Sequence, residues 1–312
     1  EGVGHYSLPD GEKHAFLYNP AIDPVEAIDL QVAIGSDPVL DGWVIASATD
    51  INDYGVIVGY LEPAGSVSDP NFRRGYVLDT SAWTISLLPD DRWAYSAPRR
   101  VNENGDIAGV YRNPDQTWGV YFIPATGTEV LLLGRNVQDN IFLNNPVESS
   151  PAQVAGQLSD GTPFRWTTGE TPEIISGISS PSVEGINDSG TICGSTLAKR
   201  TRYPMRYKTS LEILSGADGW GCSINSAGDL VVNSLVTTRN RLYHNEWGFL
   251  NLDDLIDRND PDAPAWLSRS IYGFELVGLS DRDDTDFGWV SGRLTFAEGG
   301  ATFFLLTPVP NQ

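Results

Sequence analysis

Lysine is nearly missing from this 312-residue chain, which has only Lys13, Lys199 and Lys208, and its 20 Lys+Arg face 41 Asp+Glu for a formal net charge of −21. A surface of that sign repels phosphates and argues against nucleic acid as a partner. Cysteine is equally sparse. Cys193 and Cys222 have no His or Cys at metal-ligand spacing beside them, which argues against a zinc site and leaves a disulfide and two buried thiols as equal readings. No apolar run approaches the roughly 18 residues of a membrane-spanning helix. Glu1-Gly2-Val3 opens without the basic and apolar segments of a signal peptide, so an exported protein would already have lost that segment. There is no GxGxxG, GxxxxGK or HExxH, and none of His5, His14 and His244 stands in a recognisable nucleophile–base arrangement.

What the chain has in quantity is turn and strand material: 32 Gly, 20 Pro, and 9 Trp, 12 Tyr and 11 Phe. Its strongest signal is an internal repeat, Asn52-Asp53-Tyr54-Gly55-Val56-Ile57-Val58-Gly59, Asn102-Glu103-Asn104-Gly105-Asp106-Ile107-Ala108-Gly109 and Asn187-Asp188-Ser189-Gly190-Thr191-Ile192-Cys193-Gly194. A fourth copy runs from Asn225 to Val232, and Ser149–Gly156 and Thr285–Gly292 read as degraded ones. Asn and Gly tolerate the left-handed backbone of a tight turn, and the apolar residues at alternate positions after the Gly fit a half-buried strand. The repeat is therefore a hairpin whose Asn is structural.

A second strand unit follows each hairpin, seen as His14–Pro20, Gly75–Leu78, Val120–Ile123, Pro163–Trp166, Pro204–Tyr207, Arg241–Tyr243 and Thr302–Pro308. A third follows at Ala27–Leu30, Thr84–Leu88, Glu129–Leu133, Glu173–Ile175, Glu212–Leu214 and Phe249–Leu255. The series Gly4, Gly59, Gly109, Gly156, Gly194, Val232, Gly292 has intervals of 38 to 60 residues. Four antiparallel strands at such a period predict an all-β chain, a single β-propeller domain over residues 1–312 built of six full repeats and a partial one. The count allows six blades with an overlap or seven with two strands missing. Seven is favoured because the longest connections run from the third unit to the next hairpin.

His14-Ala15-Phe16 together with the Ile51–Gly59 hairpin resembles the extracellular HAF-repeat family, over nearly the whole chain and most clearly at Ala48–Gly59, Val101–Gly109 and Ile186–Gly194. The resemblance implies an exported bacterial β-propeller, extracellular or at the cell surface, and brings no catalytic motif.

Four features invite a site. Trp43, Trp93, Trp220 and Trp266 each precede a hairpin, where an aromatic plane stacks either on a sugar ring or on the neighbouring blade. The run Lys199–Lys208 gathers five cations, with Arg200 and Arg202 the ones to hold an anionic glycan or pair with carboxylates. Asp281, Asp283 and Asp286 sit in an acidic turn suited to weakly bound calcium or to solvation. Ser159–Trp166 loosely mimics the Asp-box of sialidases. The reading that follows is a secreted non-enzymatic binding or surface-assembly module, for polysaccharide or another extracellular protein, with self-assembly through cation bridges as a variant. The alternative is a polysaccharide hydrolase or lyase with its site at the propeller mouth.

Overall fold

A computed structural model of the chain describes residues 2–19, 27–65, 72–88, 93–126, 128, 130–133, 137–146, 150–234, 241–255, 271–282, 288–296 and 301–307. The chain is all-β: seven antiparallel sheets, the blades of a seven-bladed propeller, with almost no helix. Blade 1 holds β1 (Gly2–Ser7), β2 (Lys13–Tyr18) and β3 (Ala27–Asp29), and is followed by the single-turn helix α1 (Leu30–Ile34). Blade 2 holds β4 (Trp43–Ile51), β5 (Val56–Pro63), β6 (Arg74–Asp79) and β7 (Thr84–Leu87), and blade 3 holds β8 (Tyr95–Val101), β9 (Ile107–Arg112), β10 (Trp118–Ile123) and β11 (Val130–Leu133). Blade 4 holds β12 (Val137–Leu143), β13 (Gln153–Leu158), β14 (Pro163–Thr167) and β15 (Glu173–Ile174), and blade 5 holds β16 (Ser182–Ile186), β17 (Ile192–Ala198), β18 (Thr201–Tyr207) and β19 (Leu211–Ile213). Blade 6 holds β20 (Trp220–Ile224), β21 (Leu230–Asn233), β22 (Arg241–His244) and β23 (Gly248–Asn251), and blade 7 holds β24 (Ile271–Arg282), β25 (Gly288–Phe296) and β26 (Ala301–Leu306).

Among the described residues blades 1 and 7 hold three strands each, in line with the repeat count that allowed seven blades less two strands, and register shows which three. The repeat glycine of the second strand faces a large residue of the third in Gly59↔Tyr76, Gly109↔Tyr121 and Gly194↔Met205, and the same pairing recurs as Gly4↔Phe16 in blade 1 and Gly292↔Phe304 in blade 7. Blade 1 therefore has counterparts of strands two to four, and blade 7 of strands one to three. The glycine is required sterically: a Cβ on Gly59 would lie 2.0 Å from the Ser47 carbonyl and 2.6 Å from the Tyr76 hydroxyl. In blade 6, where Val232 replaces it, Val232 pairs with Gly221 on the preceding strand, so the small residue has changed strands.

Blades 2 and 6 bury both faces. Within the unit comprising Glu1–Asn145, Pro151–Ser159 and Arg165–Glu173, successive residues Ile57 and Val58 enter different cores, the first with Leu17, Ile45, Tyr76 and Leu78, the second with Val101, Ile107, Tyr111 and Tyr121. Within the other unit, comprising Pro146–Ser150, Asp160–Phe164 and Ile174–Gln312, Val232 joins Cys193, Leu214, Ile224 and Leu230, while Val231 joins Leu242, Leu252, Leu276 and Val290. Alternation of side chains across a strand is what splits neighbours between two cores. The extended stretch expected at Ala27–Leu30 ends at Asp29, whose carboxylate accepts from the Val32 N–H and starts α1, and that at Phe249–Leu255 ends at Asn251 in a 3₁₀ turn.

Candidate functional site

The repeat asparagine is both a turn residue and an inter-blade clip. Asn52 Oδ1 accepts from the Tyr54 and Val56 N–H groups at 3.1 and 3.0 Å, which closes its own hairpin, while Nδ2 donates to the Asn102 carbonyl at 2.9 Å. Asn102 Nδ2 donates to Asn144 O, Asn187 Nδ2 to Asn225 O and Asn225 Nδ2 to Ser280 O. All four asparagines and Asn144 are buried. In blade 4 the clip falls on Asn144, whose carbonyl accepts from Asn102 and whose Oδ1 accepts from Gln153 N, and in blade 7 it falls on Ser280, 55 residues after Asn225; Ser149 and Thr285, where the degraded copies begin, lie outside the described residues. A second contact runs alongside: Asp53 N donates to the Glu103 carboxylate, Glu103 N to Asn145 Oδ1 and Ser226 N to Asp281 Oδ1.

In the second unit these clips hold two hairpins side by side, and a polar cleft of about 280 Å³ opens on them. One wall comes from blade 5: the hairpin at Ser189 and Thr191, Arg206 at the end of β18, the turn Lys208-Thr209-Ser210 and Glu212 on β19. The other comes from blade 6, with Ser226, Ala227 and Gly228 of its hairpin and Asn245 after β22. Arg206 is the pillar between them. Its Nε and Nη2 bind Glu212 at 3.1 and 2.6 Å, and its Nη1 donates to Gly228 O at 2.9 Å and Asn245 Oδ1 at 2.8 Å. Because Asn245 Oδ1 accepts from Arg206 and the Asn245 N–H is held by Asp229, the group left for a ligand is the donor Nδ2. Lys208, Thr209, Ser210 and Ser226 are exposed, and their side chains make no hydrogen bond or ion pair among the described residues.

The residues singled out in the sequence lie elsewhere and are dispersed. Trp43 begins β4 under the Arg74 guanidinium, 4.4 Å above its ring, and packs on the first core; Trp93 stacks on Tyr111 and Tyr121 at 4.9 and 5.1 Å. Trp220 begins β20, half-buried, and Trp266 lies outside the described residues. Arg200 is exposed in the β17–β18 turn at φ +70°, whereas Arg202 donates to Ser195 Oγ at 2.7 Å. Of the basic run it is Arg206 and Lys208 that reach the cleft. Asp281 is engaged by Ser226, and Asp283 and Asp286 lie outside the described residues. The Asp-box resemblance resolves into a turn: Asp160 Oδ1 accepts from Thr162 N just as Asp10 does from Glu12 N and Asp115 from Thr117 N.

Sequence reasoning missed a charged network in the first unit. Arg73 binds Glu62 at 2.9 Å, lies 4.0 Å over the Tyr60 ring and donates to the Tyr95 hydroxyl at 3.0 Å, which Arg99 approaches at 3.5 Å while pairing with Asp139. Glu62 and Tyr95 are buried, and burial pushes the Tyr95 hydroxyl above its ordinary range. Ser47 Oγ lies 3.4 Å from His5 Nδ1. Burial, then Lys13, lowers the His5 pKa. A second cluster joins Tyr6, Glu12, His14 and Asp29: His14 Nδ1 meets Asp29 Oδ2 at 2.8 Å, Nε2 meets Glu12 Oε1 at 3.2 Å, and the Tyr6 hydroxyl donates to Asp29 at 2.6 Å. These partners come from strands without a shared motif, so no local pattern announced them.

No protein-family model matches the chain, and no curated protein matches it. Solved structures do. Pyrococcus horikoshii acylaminoacyl peptidase is 14% identical at a TM-score of 0.51, over 82% of this chain and 44% of its own. TolB from Acinetobacter baumannii is 10% identical at 0.45, over 77% and 59%, and the Aleuria aurantia lectin is 10% identical at 0.41, over 83% and 94%. The chain spans 59% of the TolB chain and 44% of the peptidase chain. At such identities the likeness is one of fold.

Proposed function

We propose that the protein is an exported, non-enzymatic binding module of the HAF-repeat kind and that its ligand is a saccharide held in the cleft between the blade 5 and blade 6 hairpins. The observation that carries this reading is the composition of that cleft. Hydroxyls, an amide and an ammonium converge on about 280 Å³, and Ala227 is the one aliphatic side chain in the lining. A ring rich in hydroxyls can pair with every wall of such a site, whereas an apolar side chain would find nothing to bury against. The clips between the two hairpins fix the walls before a ligand arrives, which lowers the ordering that binding must oppose.

The test incubates the protein with a panel of neutral and acidic polysaccharides and reads thermal shift together with released reducing ends or unsaturated products. A shift without products is expected. A second reading, an enzyme acting on polysaccharide, draws on the Glu62–Arg73–Tyr95–Arg99–Asp139 network and the nearby His5–Ser47 contact, which bring acid, base and cationic groups together. Products that disappear in Glu62→Gln would establish it in place of the binding reading.

A further inference from the structure

We infer that the cleft selects saccharides bearing a carboxylate, with Lys208 as the residue that reads the charge; the inference rests on the binding reading above. The lining holds two cations, Arg206 and Lys208, against one carboxylate, Glu212. Arg206 is spent on Glu212, Gly228 and Asn245, so its charge is neutralised within the wall. Lys208 is exposed and has no ionic or hydrogen-bonding partner among the described residues, which leaves one net positive charge at the cleft of a chain whose formal charge is −21.

The remaining polar groups point to the same ligand. Asn245 presents a donor because its oxygen is taken, and the Thr209, Ser210 and Ser226 hydroxyls can each donate or accept. A site with one ammonium, one fixed amide donor and adaptable hydroxyls complements a monoanion surrounded by hydroxyls and ring oxygens, which describes a uronic acid. A phosphate dianion calls for a further cation or a fork of guanidinium donors, and the guanidinium here is already committed. The surrounding acidic surface sharpens the choice. An anionic polymer approaches such a chain best at its few exposed cations, which include Lys208 at the cleft and Lys199 and Arg200 in the β17–β18 turn, and the Lys199→Met control separates the two places.

The experiment measures Kd by titration calorimetry for oligomers of galacturonic, mannuronic and glucuronic acid and for the methyl ester of each, which keeps the hydroxyls and removes the charge. Wild type, Lys208→Met, Lys208→Arg and, as a control from the same basic run, Lys199→Met are compared after near-ultraviolet circular dichroism has shown that each is folded. The expected result is that at least one acid binds about tenfold tighter than its ester, the size of one charge-assisted hydrogen bond. Lys208→Met should erase that preference, Lys208→Arg should keep most of it, and Lys199→Met should leave it unchanged. Acid and ester binding alike, with Lys208→Met indifferent, would overturn the inference and leave the binding reading standing. A preference that Lys199→Met removes and Lys208→Met does not would also overturn it, by moving the charge contact off the cleft. If no oligomer of either series binds, the binding reading falls and the inference with it.

Discussion

Asn52→Asp replaces the buried clip by an isostere and removes one property, the N–H donor. Asn52 Oδ1 accepts two backbone N–H groups, and a carboxylate oxygen keeps those. The other oxygen then faces the Asn102 carbonyl at the position where Nδ2 donated at 2.9 Å. At pH 7 the variant loses one hydrogen bond, leaves a buried carbonyl unmatched and buries a negative charge, together about 3 kcal/mol. For a chain of this size that is a fall in Tm of roughly 6–9 °C. Protonation restores a donor. Burial and the facing Asn102 carbonyl raise the folded-state pKa of the new carboxyl above its unfolded value near 3.9, outweighing the two N–H bonds that favour its charge, so the variant is least destabilised below that value and loses stability as pH rises through the folded pKa. Thermal unfolding of variant and wild type followed by circular dichroism from pH 3.5 to 8 checks the claim, because the difference between the two curves removes all other titrations. A difference that is flat with pH, or a deficit at pH 7 within about 0.5 kcal/mol of zero, would refute the clip as a load carried by that donor.

Gly59→Ala is expected to abolish folding or to cost more than about 3 kcal/mol in urea unfolding, since the new methyl meets both the Ser47 carbonyl and the Tyr76 hydroxyl. Gly161→Ala, where a Cβ meets nothing, should be far milder and carry only the strain of its φ of +86°. Arg73→Met should destabilise by about 3–5 kcal/mol by leaving Glu62 buried and unpaired, and Arg73→Met combined with Glu62→Leu should recover much of that loss in the same assay. For His14, burial alone would lower the pKa, but the hydrogen bonds that the ring donates to the Asp29 and Glu12 carboxylates, with their charges, outweigh it and the net shift is upward. The imidazolium therefore contributes stability that is fully present below about 6.5 and fades as pH rises through the raised value; titration by NMR should find His14 above and His5 below the ordinary histidine range.

The repeat was legible because its chemistry is local. Gly55, Gly105, Gly190 and Gly228 all take φ between +75° and +85°, and each is the turn residue of an Asn-x-x-Gly hairpin that any sequence window of that length displays. The second role of the asparagine left a signal that was available but unread: Asn stands at the first position in all four copies, where Asp or Gly would close a turn equally well. Only an amide supplies an acceptor for its own hairpin and a donor for the next. Ser149 and Thr285 preserve the spacing to the following glycine but lie outside the described residues, whereas the inter-blade hydrogen bonds of Asn102 and Asn225 reach the carbonyls of Asn144 and Ser280.

The tryptophans and Arg200 drew attention through their chemistry as single residues. The cleft draws on Lys208, Thr209, Ser210, Ser226 and Asn245, which taken singly are ordinary turn residues, and they acquire meaning only when two hairpins 38 positions apart are clipped by Asn187 to one another. By itself, then, the sequence determined the strands, the hairpins, the glycines and the propeller class with six or seven blades, since backbone dihedrals and side-chain alternation act over a few residues. Tertiary structure alone decided which polar groups are consumed inside the walls and which are left for a ligand, because the partners that the facing blade brings to Arg206 and Asn245, and does not bring to Lys208 among the described residues, come from positions distant in sequence.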